Sequence, residues 1–193
     1  MLDDYAKDLF ETGKRGDTRE ESFYGDLSEL LENYAHNNGF DEIHVTTLPK
    51  QTETGNPDFR IWDGTQEITG YIEAKHPSKR NLDVIEASEQ LKRYRDSFPN
   101  LILTNFFEFR LYRQGEMIDM ATLPHPGPIN EIKSPPSFKE VEELYELLNK
   151  FFAFSTPKID TAEELAVELA KKTKFLRDDV LKHELQEGSE EDN

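Results

Sequence analysis

The chain contains no cysteine, which excludes disulfides and thiolate metal sites. No apolar run approaches the roughly 18 residues that span a bilayer, and the opening MLDDYAKDLF lacks the basic-then-apolar form of a secretory leader. A soluble, cytoplasmic protein without a membrane partner is therefore expected. Positive charge is also scarce: 23 Lys and Arg stand against 40 Asp and Glu, a formal net charge of −17. Taken whole, that charge repels nucleic acid, whose phosphates normally meet a basic surface. Its distribution alters the picture. Residues 71–113 hold eight Lys or Arg against six Asp or Glu, whereas residues 156–193 hold six against eleven. The middle of the chain is the stretch where a polyanion is tolerated.

What is present is enough apolar material for a core, 35% of 193 residues with 13 Phe and 7 Tyr. That length suits one domain with an appendage. Thr18-Arg-Glu-Glu21 has the form of a capping box, and Phe23, Leu27, Leu30, Leu31 and Tyr34 follow at helical spacing, so a helix over about 18–37 is predicted. Ile43–Leu48 reads as a strand, followed by a polar loop to Pro57. Asp58–Trp62 and Ile68–Lys75 flank Asp63-Gly64 and are predicted to pair as an antiparallel hairpin. Asp83-Val-Ile-Glu86 is a second capping box that opens a helix over about 83–97.

Asn100–Thr104 is apolar throughout, as in a strand buried on both faces. Two short strands follow, Phe107–Arg113 and Met117–Met120, joined at Gln114-Gly115. The segment Leu123–Pro136 holds five prolines and reads as a loop. Helical patterns cover Phe138–Phe152 and Thr161 to about Leu185, and the acidic end, 188–193, reads as a disordered tail. The expected organisation is a domain over 1–155, a helical connector over 156–187, and that tail. The last helix is amphipathic and needs a surface to lie on.

The hairpin puts Asp58 and Glu73 on adjacent strands, and period two places Glu73 and Lys75 on one strand face. Two converging carboxylates are costly unless something positive lies between them. Hard oxygen ligands without nearby His or Cys favour Mg²⁺ or Mn²⁺ over zinc. A lysine beside them can hold or deprotonate a water, which completes what phosphodiester hydrolysis requires. Tyr71, Ile72 and Ala74 make the strand core-like, a setting where charges need a reason.

Pro57-Asp58, fourteen residues, then Glu73-Ala74-Lys75 resembles the PD-(D/E)XK nuclease superfamily. Gly70–Lys75, Gln90-Leu-Lys-Arg-Tyr94 and Asn100–Arg110 further resemble the N-terminal nuclease domain of type IIG and type ISP restriction-modification enzymes. The likeness covers about residues 15–120. It implies an α/β, restriction-endonuclease-like mixed sheet flanked by helices, with a C-terminal helical extension. It also implies a Mg²⁺-dependent endonuclease module acting on double-stranded DNA, with a methyltransferase and a target-recognition domain further along the same polypeptide.

By that resemblance Asp58 and Glu73 bind the metal with the Ala74 carbonyl, Lys75 activates water, and Gln90 and Tyr94 support the lysine or contact phosphate. Glu21 corresponds to a further acidic residue of the metal shell. Apart from the resemblance, Lys79, Arg80, Lys92 and Arg93 form a basic edge beside the site where DNA phosphates are expected to sit. His76-Pro77 departs from relatives that carry Asp after the lysine.

Several of these residues fit plainer roles equally. Gln90 and Tyr94 suit a polar helix face with one packing aromatic, Glu21 suffices as a capping residue, and Lys92, Arg93 and Arg95 suit pairing with Glu86 and Glu89. The five histidines show no ligand spacing. Asn56-Pro-Asp-Phe59 resembles an adenine-methyltransferase signature, but no glycine-rich cofactor loop precedes it. A free-standing repair or resolvase-type nuclease and a silent nuclease-fold binding module remain as alternatives.

Overall fold

A computed structural model describes residues 1–124, 129–138, 142–155 and 161–175. The chain divides into two compact units, Met1–Ser155 and Thr156–Asn193. In the first unit six strands stand in sequence order across one sheet. They are β1 (His44–Thr47), β2 (Phe59–Trp62), β3 (Ile68–Ala74), β4 (Asn100–Thr104), β5 (Glu108–Arg113) and β6 (Glu116–Thr122). Every neighbouring pair is antiparallel except β3 and β4, which run parallel and so need a crossover. Two helices supply it, α3 (Asp83–Glu86) and α4 (Glu89–Ser97).

The strand pleat sorts side chains between two cores. Tyr71, Leu101, Leu103 and Tyr112 face α4 and pack with Leu82, Leu91, Tyr94 and Phe98. Phe59, Ile61, Ile72, Ile102, Phe109 and Leu111 face the other way, toward α1 (Leu2–Gly13), α2 (Tyr24–Asn37) and α5 (Glu142–Phe152). β4 feeds both cores and is buried at all five positions, which explains its unbroken apolar run. Gly70 on β3 allows close approach to β4: a Cβ there would lie 2.7 Å from both the Asn100 carbonyl oxygen and the Phe151 ring. The β5–β6 turn is a tight two-residue hairpin in which Gln114 and Gly115 both take positive φ.

The described elements depart from the sequence reading in several places. Residues 2–13 form a helix whose Leu2, Tyr5, Ala6, Leu9 and Phe10 are buried. Residues 20–23 make a 3₁₀ turn ahead of α2, and the Thr18 box does not form; the Arg19 N–H donates to Ser22 Oγ instead. The helix over 83–97 breaks after Glu86: Ser88 takes an extended backbone and caps α4, its Oγ accepting the Leu91 N–H, while Asp83 and Glu86 both pair with Arg110. Asp63-Gly64 opens a longer turn in which Asp63 Oδ1 accepts the N–H groups of Thr65, Gln66 and Glu67.

In the proline-rich stretch Ile129–Glu131 forms a 3₁₀ turn. In the second unit α6 spans Ala162–Phe175, with Leu165 and Leu169 exposed one turn apart. The remainder of the expected connector and the tail over 188–193 lie outside the described residues.

Candidate active site

The site forms where β2 begins and β3 ends. Phe59 pairs with Ile72, so the next step of the antiparallel register sets Asp58 opposite Glu73, both directed toward the α4 side. β2 gives out before it can cover the Ala74 N–H, and Asp58 Oδ2 accepts that proton instead at 2.8 Å. Glu73 is only 2% exposed. Its Oε1 accepts from Lys75 Nζ at 2.6 Å and from Gln90 Nε2 at 3.0 Å, while Oε2 is buried without a hydrogen-bond partner. Gln90 Nε2 also reaches the Tyr94 hydroxyl at 3.3 Å, so the four-residue spacing on α4 does bring both side chains to the site. Tyr94 is at once a packing residue, buried against Phe98. Gly55, at positive φ, makes room for its hydroxyl: a Cβ there would meet that oxygen at 2.9 Å.

From the other side of the sheet end, the 3₁₀ turn and the start of α2 bring in two groups absent from the sequence reading. The Tyr24 hydroxyl donates to Asp58 Oδ1 at 2.5 Å and lies 3.4 Å from Glu20 Oε1. Glu20 Oε2 accepts the His76 N–H at 2.6 Å, and Glu20 Oε1 stands 4.0 Å from Lys75 Nζ. The acidic residue of this turn that enters the site is thus Glu20. Glu21, the residue expected there, is exposed.

One helical position explains the exchange, since Glu20 lies on the stripe that continues through Tyr24, Leu27 and Leu31, whereas Glu21 lies off it. That stripe was the available signal; nothing in the sequence flagged Tyr24. His76 is tied down by Glu20 and by its ring edge on Phe23 at 5.4 Å.

Electrostatics follow from burial. Loss of water and the facing Asp58 push the Glu73 carboxyl above the usual range, against the pull of Lys75. Burial opposes the Lys75 ammonium, yet Glu73, Glu20 and Asp58 together hold its pKa above that of an ordinary lysine. Burial likewise raises Glu20, and burial with the Asp58 hydrogen bond raises the Tyr24 phenol far above its normal range. The result is a carboxylate-rich pocket in which Lys75 and Tyr24 hold their protons and Glu73 Oε2 meets no hydrogen-bond donor.

Among the described residues no three His, Asp or Glu side chains form a ready cation cage. What the pocket offers is two opposed carboxylates and the adjoining Ala74 backbone, hard oxygen donors of the kind Mg²⁺ or Mn²⁺ takes. Glu73 Oε2, buried without a hydrogen-bond donor, is among them.

The basic residues separate by role. Lys92 pairs with Glu89 and Arg95 with Glu86. Lys79, Arg80 and Arg93 are exposed and make no ion pair among the described residues. Lys79 and Arg80 lie on the loop leaving β3, and Arg93 sits one turn beyond Gln90 on α4.

No protein-family model and no curated protein matches the chain. Among solved structures it is similar to a DrdV–DNA complex determined by cryoEM, with a TM-score of 0.58 and 23% identity over 81% of this chain. The chain spans 14% of the length of that protein. Within the described residues no helix is long and apolar enough to cross a membrane. The six-stranded mixed sheet with helices on both faces is an α/β, restriction-endonuclease-like fold.

Proposed function

We propose that this chain is the cleavage module of a DNA endonuclease that hydrolyses phosphodiester bonds with Mg²⁺, or Mn²⁺ in its place. One observation carries the reading: Glu73, 2% exposed, keeps an oxygen with no partner directly beside a second carboxylate and a lysine. Such an arrangement costs stability in a merely structural site. The similarity to a protein solved with DNA supports a nucleic-acid substrate, and the small share of that protein matched supports a module of a longer polypeptide, which in this proposal is a restriction-modification enzyme with a methyltransferase and a target-recognition domain.

In this reading Asp58, Glu73 and the Ala74 carbonyl hold the cation, which supplies charge stabilisation for the phosphate and activation of water. Gln90 fixes the Glu73 carboxylate through Oε1, leaving Oε2 free, and Tyr94 fixes Gln90 in turn. Lys75 arrives protonated, so its first contribution is a positive charge beside the phosphate. To accept a proton from water it would first have to give up its own, which Glu73, Glu20 and Asp58 oppose. Lys79, Arg80 and Arg93 offer phosphate contacts on the loop and helix that border the site. The net charge of −17 agrees with weak DNA binding by this part alone, with base recognition supplied elsewhere.

Nicking of supercoiled plasmid is the test, run with Mg²⁺, with Mn²⁺ and with chelator, on wild type and Lys75→Ala. Cation-dependent nicking lost in the variant supports the proposal. Intact plasmid with both proteins at high concentration in Mn²⁺ defeats the claim of autonomous cleavage.

A further inference from the structure

We infer that Tyr24 is a positioning residue that fixes the Asp58 carboxylate for cation binding, an inference that rests on the metal-dependent reading above. Tyr24 is the first residue of α2, and its ring lies 4.8 Å from that of Phe59, the residue next to Asp58. Packing therefore sets the ring, and the ring sets the hydroxyl. The hydroxyl has one proton and gives it to Asp58 Oδ1 at 2.5 Å, with Glu20 Oε1 more distant at 3.4 Å. On the opposite oxygen the Ala74 N–H holds Oδ2 at 2.8 Å.

Two donors on two oxygens fix the plane of a carboxylate that otherwise turns freely about its last torsion. Each oxygen keeps a second lone pair, so neither donor excludes a cation. Tyr24 also spans the two acidic groups contributed by different elements, Asp58 ahead of β2 and Glu20 on the 3₁₀ turn. It thereby ties the start of α2 to the strand end where the cation would sit. Groups that orient metal ligands in this way typically change affinity by about 10- to 100-fold when removed.

The test is Tyr24→Phe in the whole chain, which keeps the ring and removes only the hydroxyl. The melting temperature is expected to fall by no more than about 4 °C, the scale of one hydrogen bond. In cation-free protein, exchange of the Ala74 amide proton should accelerate about 10-fold. The neighbouring Lys75 amide, bonded to the Thr104 carbonyl at 2.8 Å, should keep its rate. Affinity for Mn²⁺, followed by the paramagnetic resonance of the free ion, should weaken about 10-fold or more.

An unchanged Ala74 exchange rate together with unchanged Mn²⁺ affinity overturns the inference. If wild type binds Mn²⁺ no better than Asp58→Asn, the metal reading itself is lost. Ala74 exchange then still decides whether Tyr24 holds Asp58.

Discussion

Two charged clusters share one face of the sheet, and they are built on opposite terms. Leu103 pairs with Glu73 on one side and with Arg110 on the other, so the clusters stand two strands apart, about 10 Å. Arg110, 8% exposed, is saturated: Nε meets Glu108 at 2.6 Å, one terminal nitrogen meets Glu86 at 2.5 Å, and the other meets Asp83 at 2.7 Å. The second oxygen of Glu86 goes to Arg95, whose guanidinium lies over the Tyr112 ring. Around Glu73 the same kinds of group leave an acceptor unmet and two carboxylates opposed. The first cluster meets each nitrogen of Arg110 with a carboxylate and fastens α3 and α4 to β5. The second stays open, which is what a site reserved for something from outside requires.

The largest effect expected is on chemistry. Lys75→Ala should slow plasmid nicking by about 10²- to 10⁴-fold, as removal of a proton-handling group does, and circular dichroism should show the fold retained. A variant that nicks at the wild-type rate would remove Lys75 from the mechanism. Next in size, Arg110→Met leaves Glu108 without its partner and Glu86 with Arg95 alone, and should lower unfolding free energy by about 2 kcal/mol in denaturant titration. A loss under about 1 kcal/mol would mean that the saturated cluster is not structural after all.

Asp26 offers a smaller and separate check on the other face of the sheet. It lies on α2 near Asp8 and Thr12, and burial lifts its carboxyl to about 6 from the ordinary 3.8, with the Thr12 hydrogen bond pulling the other way. The folded protein therefore binds this proton more tightly than the unfolded chain. Stability should fall as pH rises from 3.8 to about 6 and stay lowered above it. Asp26→Asn should flatten that fall, by about 1 kcal/mol once the half-exposed setting is allowed for. Parallel pH profiles for variant and wild type would count against it.

The contrast between the clusters also marks what could be read from sequence. Local patterns carried the sheet well: alternation and a turn signal exposed the β2–β3 hairpin, and an unbroken apolar run exposed β4. Asp58, Glu73, Lys75, Gln90 and Tyr94 stood out because strand period two and helix period four are regular, and the structure brings all five together. Contacts that depend on how elements meet were not legible. Arg110 captures Asp83 and Glu86 across more than twenty residues, a meeting that no local pattern announces.

Tyr24 reaches Asp58 over a separation of 34 residues, and only the packing of α2 on β2 makes that encounter possible. Glu20 and Glu21 differ by one position, and the 3₁₀ turn decided between them. The helix over 2–13 shows in its apolar spacing, with Leu2, Tyr5, Ala6, Leu9 and Phe10 on its buried side.

Glu73→Gln, melted at pH 8 and assayed for plasmid nicking from the same preparation, tests most directly whether the open cluster trades stability for function. The account predicts that the variant melts higher, by about 1 kcal/mol of added stability since a buried and opposed charge is gone, and that it no longer nicks DNA. A variant that melts lower and nicks as well as wild type would contradict it.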